Sequence, residues 1–228
     1  EKCENVFPAL DYLIASNRKG LGDDVKLFDD GTLNAKDKDV VVIGGGDTAM
    51  DCVRTAVRQN AKSVTCLYRR DKANMPGSQR EVQNAEEEGV NFQWLSAPHA
   101  LLGDGSVRSV RARRIHLGQP DETGRQVPQI IENSDFDVDA DLVIKALGFD
   151  PEDVPAMFGQ PELGVSKWGT VKIDWKTMMT SAPGVFAAGD IVRGASLVVW
   201  GIRDGRDAAE QMDKYIQAEQ RGEIRAAE

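Results

Sequence analysis

The order of hydrophobic and polar positions between residues 40 and 70 predicts a strand, a helix and a second strand. The run 40–43 (VVVI) is short, β-branched and apolar throughout, as in a strand that is buried on both faces. In the next segment, apolar residues recur along one helical stripe, with Arg54 and Arg58 outside it. The stripe consists of Ala49, Met50, Val53, Ala56 and Val57. The second strand, 63–70 (SVTCLYRR), ends in two arginines, and the whole unit has the size of the first half of a βαβ crossover.

Three further segments predict helices. The first has apolar positions at helical spacing and stops at Gly20. The second begins with Ser78 and Glu81 at capping-box spacing and stops at Gly89. The third is long, begins near Ser196 and has one apolar side. The apolar stripes are Phe7, Leu10, Leu13 and Ile14 in the first of these helices, and Val198, Ile202, Ala209 and Met212 in the last.

The remaining blocks predict strands. Residues 106–117 (SVRSVRARRIHL) alternate between apolar and polar positions over part of their length, as an exposed antiparallel strand does. Residues 139–151 (DADLVIKALGFDP) contain the apolar run of another buried strand. Residues 169–192 predict a strand, a turn and a strand before the last helix.

Composition and charge narrow the functional classes. The 228 residues are 41% hydrophobic and 29% charged, which is typical of a soluble globular protein, and no apolar run approaches the roughly 18 residues of a membrane span. With 28 basic and 37 acidic residues the net charge is −9, which argues against a general nucleic-acid binder. Cys3, Cys52 and Cys66 are too widely spaced for a disulfide framework or a metal knuckle. We expect Cys52 and Cys66 to be small buried residues, and a reduced, cytoplasmic setting fits best.

The candidate chemistry lies in the glycine-rich turn at 44–49 (GGGDTA). Gly44, Gly46 and Ala49 fit the G-x-G-x-x-A form of the dinucleotide fingerprint. Gly44 permits the sharp turn from strand to helix, Gly46 lets a pyrophosphate approach the backbone, and Ala49 lets the helix pack on the strand. The phosphates would meet free N–H groups at the positive end of a helix dipole. Because a buried strand precedes the turn and an amphipathic helix follows it, the sequence predicts nucleotide binding rather than an ordinary tight turn.

The end of the second strand indicates which nucleotide is bound. An NAD site places an acidic residue there, whereas this chain has Arg69 and Arg70, with Asp71 one position further on. A carboxylate repels a 2′-phosphate, and guanidinium groups bind it through charge-assisted hydrogen bonds. The sequence therefore favours NADP(H) over NAD(H), with Arg80 as a candidate third contact. The alternative is that both arginines are solvated charges at a strand end.

The segment 184–192 (GVFAAGDIV) suits a flavin site. A short apolar strand ends at Gly189 and Asp190, and the last helix follows. Asp190 can accept hydrogen bonds from ribityl hydroxyls, and the helix N-terminus near Ser196 can direct N–H groups at the N1/O2 edge of a flavin. Gly-Asp turns are common, so the segment does not identify a flavin site by itself.

The sequence predicts no catalytic side chain and no metal site, since it has no Ser/His/Asp set, no metal-ligand cluster and no CxxC. We expect both histidines to be structural or exposed and all four tryptophans to be packing residues. The arginine-rich strand is expected to present a solvated face, with a docking surface for a partner subunit as the alternative. These residues are His99, His116, Trp94, Trp168, Trp175, Trp200, Arg108, Arg111, Arg113 and Arg114.

Taken together, the GGGDTA unit, VIKALGFDP and TSAPGVFAAGD resemble the flavoproteins with two dinucleotide-binding domains, in which an NAD(P)H domain is inserted into an FAD domain. Four segments (NVFPALDYL, YRRDKANMPGSQREVQNAEEEGV, LGQPDETGRQVP and ASLVVWGIRDGRDAAEQM) are similar to the small (β) subunits of NADPH-dependent glutamate synthases. The loop Gly118–Gly124 and MPGSQREV are the most discriminating of these, and the resemblance extends over nearly the whole chain.

The resemblance implies an α/β fold with a Rossmann-like NAD(P)H-binding domain and part of an FAD-binding domain. The implied divisions are 1–38, a lead-in helix and connection from the FAD domain; 39–149, the NADPH-binding domain; and 150–228, the C-terminal part of the FAD-binding domain. The FAD fingerprint and the cysteine-rich iron–sulfur segments of such subunits are absent from this sequence, which begins at Glu1. We therefore expect the C-terminal part of a longer protein, with an FAD site that upstream residues complete and with iron–sulfur clusters only in the parent.

For the parent, the resemblance implies hydride transfer from NADPH to FAD and passage of electrons through iron–sulfur clusters to a large (α) subunit, which forms glutamate from glutamine and 2-oxoglutarate. Two alternatives remain open. One is a related electron-input subunit of the dihydropyrimidine dehydrogenase or ferredoxin–NADP oxidoreductase kind, and the other is a non-catalytic NADP(H)-sensing module. The candidate cofactor-binding residues are Gly44, Gly45, Gly46, Asp47, Thr48, Ala49, Arg69, Arg70, Arg80, Gly148, Gly189, Asp190, Ser196, Leu197 and Val198.

Overall fold

The computed structural model describes residues 3–120 and 126–223. The chain divides into two compact units, Glu1–Gly148 and Phe149–Glu228. This division falls one residue before the predicted boundary between 149 and 150, and the assignment of a nucleotide to each domain stays a prediction. The loop 118–124, which contributed to the resemblance, lies mostly outside the described residues.

The first unit is built on a parallel sheet. Its strands are β1 (Val6–Pro8), β2 (Asp39–Ile43), β3 (Ser63–Leu67), β4 (Asn91–Gln93), β5 (Ser96–Leu102), β6 (Ser109–Pro120), β7 (Gln126–Asp139) and β8 (Leu142–Lys145). Five of them pair in parallel in the order β1-β8-β2-β3-β4, and β5, β6 and β7 form an antiparallel sheet. At the centre, Val40 of β2 lies between Val64 of β3 and Leu142 of β8.

Both faces of the parallel sheet are covered, which explains why β2 is apolar at successive positions. The helices of this unit are α1 (Ala9–Gly20), α2 (Lys26–Asp29), α3 (Asp47–Arg58) and α4 (Gln79–Glu87). Val40 and Val42 pack with buried residues of α1, α3 and α4 on one face. Val41 and Ile43 pack with the antiparallel sheet on the other. The predicted α3 stripe is confirmed as the buried face, except that Val57 is only partly buried and Cys52 joins it.

In the predicted apolar stripe of the first helix, Phe7 and Leu13 pack against the core as expected, but the other two positions do not. Leu10 and Ile14 are about half exposed, and the buried residues are Ala9, Tyr12 and Ala15. Alanines allow a close approach between helices, and Tyr12 fills the space between them while its hydroxyl donates to Gln59 Oε1 at 3.0 Å. The segment 1–38, expected as a lead-in helix and a connection, contributes β1, α1 and α2 to this unit.

The antiparallel sheet pairs its charges across strands. Arg111 of β6 forms an ion pair with Asp137 of β7, and Arg113 does the same with Asp135. The guanidinium of Arg114 lies 4.1 Å from the centre of the Phe136 ring. The arginine-rich segment is thus an antiparallel strand as predicted, and two of its charges are neutralised within the sheet.

The second unit contains α5 (Val154–Met157), α6 (Asp190–Arg193) and the long helix α7 (Val198–Gln220). Between α5 and α6 the described residues form isolated bridges, such as Val165 with Val171, instead of the predicted strand pair. The predicted long helix is confirmed; Val198, Ile202 and Met212 of its apolar side are exposed, and its buried residues are Asp204 and Ala208. An ion pair accounts for the burial of Asp204, as described below. In the described part of the chain, no helix is long and apolar enough to cross a membrane.

Candidate functional site

The glycine bend connects β2 to α3 in a conformation that requires glycine at its first position. Gly44 has a φ of +147°, and a β-carbon there would lie 2.1 Å from the carbonyl oxygen of Ala146. The Gly44 N–H donates to Leu67 O at 3.1 Å, and the Ala146 N–H donates to Ile43 O at 2.8 Å. The bend therefore begins where the carboxyl ends of β2, β3 and β8 meet, which is where open α/β sheets bind ligands.

The next two glycines have different surroundings. A β-carbon on Gly45 would lie 2.4 Å from the ring of Tyr68, so this glycine serves packing inside the protein. A β-carbon on Gly46 would meet no atom within 4 Å. Since no described residue requires glycine at position 46, the open space beside it leaves room for the predicted approach of a pyrophosphate. Ala49 is fully buried against the sheet.

A cavity of about 580 Å³ opens in front of this bend. Its volume lies in the usual range for small-molecule sites. The cavity brings together Gly44–Gly46, Thr48, Arg69 and Gly148 of the predicted set, and it is not lined by Asp47, Ala49, Arg70 or Arg80. The lining residues are Ile43, Gly44, Gly45, Gly46, Thr48, Leu67, Tyr68, Arg69, Pro76, Ser96, Ala97, Pro98, Ala146, Leu147 and Gly148.

The two arginines at the end of β3 lie in different environments. Arg69 is exposed and lines the cavity. Arg70 is buried, and its Nη2 donates to Gln126 O at 2.9 Å. Its Nε has no hydrogen-bond partner among the described residues. The structure thus separates the predicted pair into one guanidinium in the cavity wall and one buried guanidinium with an unused donor.

The segment 75–78 (MPGS), which we call the strap, crosses in front of the glycine bend. The Gly77 N–H donates to Gly45 O at 2.9 Å, and the Ser78 N–H donates to Asp47 Oδ1 at 2.7 Å. The predicted capping box does not form, since the Ser78 side chain makes no capping bond and Glu81 pairs with Arg54 of α3. Glu81 thus forms an ion pair between two helices instead of a capping bond within α4.

No activated nucleophile lies at the bend. The Cys66 thiol donates to Gly44 O at 3.4 Å, and burial raises its pKa to about 12. Burial also raises the pKa of the Cys52 thiol to about 12. Both thiols therefore stay protonated at neutral pH and are packing residues, as predicted. His99 and His116 are exposed, and His99 Nε2 lies 2.9 Å from Arg113 Nη2.

In the second unit, Gly189 and Asp190 form a turn that a buried carboxylate holds. Gly189 has a φ of +77°, and its backbone helps to lower the pKa of the Asp204 carboxyl. Asp204 is only 1% exposed, and both of its oxygens also accept hydrogen bonds from Arg193. The Arg193 guanidinium lies 4.7 Å from the Trp175 ring and 5.1 Å from the Trp200 ring. The carboxylate therefore links the start of α6, the end of α6 and the first turns of α7.

The start of α7 is close to the predicted position. The helix begins at Val198 with Leu197 as its N-cap residue, two residues after the predicted Ser196. Leu197 and Val198 are 63% and 79% exposed. Trp175 and Trp200 pack on Arg193, whereas Trp168, predicted as a packing residue, is 73% exposed.

The ion pair of Asp204 predicts a pH dependence of stability. The bond from Arg193 lowers the pKa of Asp204, so the unfolded chain binds a proton at this residue more readily than the folded one. This contribution to stability is present above the ordinary Asp pKa and is lost as pH falls through the folded pKa. We expect Asp204→Asn to lower the urea midpoint at pH 7 and to flatten its decline between pH 5 and pH 2, measured by tryptophan fluorescence. An unchanged decline would contradict this role.

Several residues of these sites were not predicted. The Pro-Gly pair of the strap is a turn signal that could have drawn attention to it. Ser96–Pro98 of β5 and Ala146–Leu147 reach the cavity through strand pairing between distant segments, and no local pattern indicates that. Asp204 was also missed, because an acidic residue within a long helix ordinarily faces solvent.

Comparison with known proteins shows the family to which the chain belongs. The model of the pyridine nucleotide-disulphide oxidoreductase family matches residues 14–221. The chain is 63% identical over 223 residues to the glutamate synthase (NADPH) small chain of Azospirillum brasilense, which covers 98% of this chain and 46% of the relative. It is 42% identical over 180 residues to the NADP(+)-dependent formate dehydrogenase subunit beta of Moorella thermoacetica. This alignment covers 78% of this chain and 25% of the relative. The chain thus spans about half the length, or less, of these relatives.

Solved structures agree with the family match. The crystal structure of Lactococcus lactis thioredoxin reductase is similar with a TM-score of 0.62 and 26% identity, covering 79% of this chain and 54% of that one. The predicted α/β fold of a flavoprotein with two dinucleotide-binding domains is confirmed. The chain belongs to the pyridine nucleotide-disulphide oxidoreductase family.

Proposed function

We propose that this chain is the NADPH-binding part of an electron-input flavoprotein, the small subunit of a glutamate synthase. The observation that carries the proposal is the cavity at the glycine bend, where open space at Gly46 and the exposed guanidinium of Arg69 face the same volume. The 63% identity to a glutamate synthase (NADPH) small chain supports the choice of parent enzyme.

The residues of the first unit fit NADPH. Gly46 leaves room for a pyrophosphate, and the first N–H groups of α3 have no partner within the helix. Arg69 supplies a cation in the cavity wall for the 2′-phosphate, and Arg70, which is buried outside the cavity lining, adds positive charge next to it in the sequence. Thr48 and Gly148 complete the proposed contacts from the bend and from the end of β8.

The second unit fits part of an FAD site. Asp190 begins α6, next to the Arg193–Asp204 ion pair, as an exposed carboxylate that can accept hydrogen bonds from ribityl hydroxyls. Helix α7 is 23 residues long, and Ser196, Leu197 and Val198 at its start present N–H groups at the positive end of its dipole. A bound flavin supplies the chemistry of accepting a hydride from a nicotinamide.

The part of this chain in the reaction is binding and orientation. Hydride transfer depends on the alignment of two rings, and it requires no nucleophile. Neither buried thiol is ionised, which agrees with this role. The hydride would pass from one bound nucleotide to the other. Arg69 and the helix N-termini would therefore stabilise phosphate groups, and they would not exchange protons.

The remaining assignments follow from the parent enzyme. We propose 39–149 as the NADPH-binding domain and 150–228 as the C-terminal part of the FAD-binding domain, with 1–38 joining the first of these. The proposed partner is the large (α) subunit, and the proposed iron–sulfur clusters belong to the parent and not to these residues. The three cysteines of this chain are free, which suits a reducing cytoplasm.

Anaerobic titration with NADPH tests the proposal. We expect the intact protein that contains this chain to show the yellow absorption of a flavin and to lose it on addition of NADPH. NADH at the same concentration should bleach it far more slowly. A flavin that NADPH does not bleach would contradict the electron-input role, and an intact protein that binds NADP(H) without any flavin would be a nucleotide sensor.

A second candidate function is electron input to a different partner. The 42% identity to a subunit of an NADP(+)-dependent formate dehydrogenase favours it, because the same nucleotide-binding part occurs there with another enzyme. The distinguishing measurement is NADPH oxidation by the purified complex. Oxidation that requires both glutamine and 2-oxoglutarate identifies the glutamate synthase.

A further inference from the structure

We propose that Asp47 is a positioning residue whose carboxylate docks the strap against the glycine bend, and that this docking shapes the cavity for NADPH. The inference rests on the proposed function, and it assigns to Asp47 a role other than contact with the nucleotide. It also identifies the strap, residues 75–78, as a part of the nucleotide site that the dinucleotide fingerprint does not include.

Two parallel hydrogen bonds join the strap to the bend. The Gly77 N–H donates to Gly45 O at 2.9 Å, and the Ser78 N–H donates to Asp47 Oδ1 at 2.7 Å. The approach is close, since a β-carbon on Gly77 would lie 3.1 Å from Gly45 O. The first bond uses only backbone atoms, so Asp47 provides the one side chain in this pair of contacts.

Neighbouring contacts hold the strap and the bend together as one structure. Met75 is 6% exposed and belongs to the core between the parallel sheet and the helices α1, α3 and α4. The Tyr68 hydroxyl donates to Asn74 O at 3.1 Å, and the Tyr68 ring packs against Gly45. Pro76 lines the cavity. A shift of the strap would therefore move one wall of the cavity and the backbone of the bend together.

The charge of Asp47 makes the proposal testable. Asp47 is the first residue of α3, at the helix end where the phosphates are expected. A carboxylate at that position repels phosphate, so an electrostatic effect alone predicts that its removal strengthens NADPH binding. Docking of the strap predicts the opposite. The carboxylate also lies at the start of α4, where it accepts the N–H of the N-cap residue Ser78, whose own side chain makes no capping bond.

Two substitutions separate docking from charge. Asp47→Ala removes the acceptor and the charge, and we expect it to weaken NADPH binding by about five- to twentyfold, the effect of losing one hydrogen bond to a charged group. Asp47→Asn removes the charge and keeps an acceptor oxygen, and we expect an affinity equal to or greater than that of the wild type. Isothermal titration of the intact protein with NADPH measures both.

Asp51→Asn is the matched control. Asp51 is an exposed carboxylate one turn further along α3, and among the described residues it makes no hydrogen bond to the strap. Its substitution should leave NADPH affinity within about twofold of the wild type or raise it slightly, because it removes a neighbouring negative charge and no contact with the strap. Thermal unfolding of each variant shows whether it is folded at the temperature of the titration.

The outcomes are distinct. Weak binding by Asp47→Ala that Asp47→Asn restores supports the docking role. Equal affinities for the alanine and asparagine variants, or tighter binding by the alanine variant, would overturn it. Failure of the wild-type intact protein to bind NADPH would instead overturn the proposed function on which the inference rests.

Discussion

Gly44→Ala is expected to lower the free energy of unfolding by about 2–5 kcal/mol, the combined effect of backbone strain and overpacking. The new β-carbon would lie 2.1 Å from the carbonyl oxygen of Ala146 and 2.8 Å from its carbonyl carbon. These are backbone atoms at the end of β8, and they cannot rotate away as a flexible side chain would. The φ of +147° at Gly44 adds strain for any residue with a side chain.

Gly46→Ala is the matched control for this prediction. Its β-carbon would meet no protein atom within 4 Å, and its φ of −89° is accessible to alanine. We expect stability to change by about 1 kcal/mol or less, the cost of alanine at an N-cap position. NADPH affinity should fall at least tenfold, because the methyl group would occupy the space proposed for the pyrophosphate. Urea unfolding and isothermal titration separate the two effects, and equal stability losses at positions 44 and 46 would contradict the assignment.

Arg69→Ala with Arg70→Ala is expected to weaken NADPH binding by about 10- to 100-fold and NADH binding by threefold or less. One lost hydrogen bond between the Arg69 guanidinium and the 2′-phosphate accounts for about 1.5–3 kcal/mol, and NADH has no phosphate at that position. Titration of the intact protein with each nucleotide gives the two dissociation constants. Equal losses for NADPH and NADH would contradict the role in 2′-phosphate recognition.

Single variants refine this prediction. Arg69 lines the cavity and is exposed, so Arg69→Ala should produce most of the discrimination with little loss of stability. Arg70 is buried and bonded to Gln126 O, so Arg70→Ala should also destabilise the fold. Lys72→Ala is the control for general charge, because Lys72 is paired with Glu86 on the surface. It should leave both affinities within about twofold.

The sequence predicts the centre of the first unit because its signals there are local and mutually consistent. A β-branched apolar run predicts β2, the stripe beginning at Ala49 predicts the buried face of α3, and the fingerprint glycines predict the bend between them. At each of these positions, the preference of the residue and its tertiary environment agree. The stop signals at Gly20 and Gly89 are local for the same reason, and the helices α1 and α4 end where they predict.

The predictions that are wrong concern side chains whose partners are distant in the sequence. Glu81 lies at capping-box spacing from Ser78, but Arg54 on a neighbouring helix is a stronger partner. The burial of Asp204 in α7 was not predicted either, because the Arg193 guanidinium that balances its charge lies outside this helix. Sequence spacing gives the period of a helix, but it does not state which neighbour a given side chain meets.

The pairing of β2 with β8 has a consequence for how the cavity forms during folding. Asp39 and Asp141 are bonded at the start of this pair, although 102 positions separate them in the chain. Contacts between such distant segments close large loops and form late, whereas the β5–β7 sheet in the intervening segment pairs neighbouring strands. Ala146, which forms the far side of the glycine bend, follows β8 directly. A chain that is still being synthesised therefore cannot form the complete proposed NADPH site until β8 has left the ribosome and paired with β2. The whole fingerprint has by then been synthesised about 100 residues earlier.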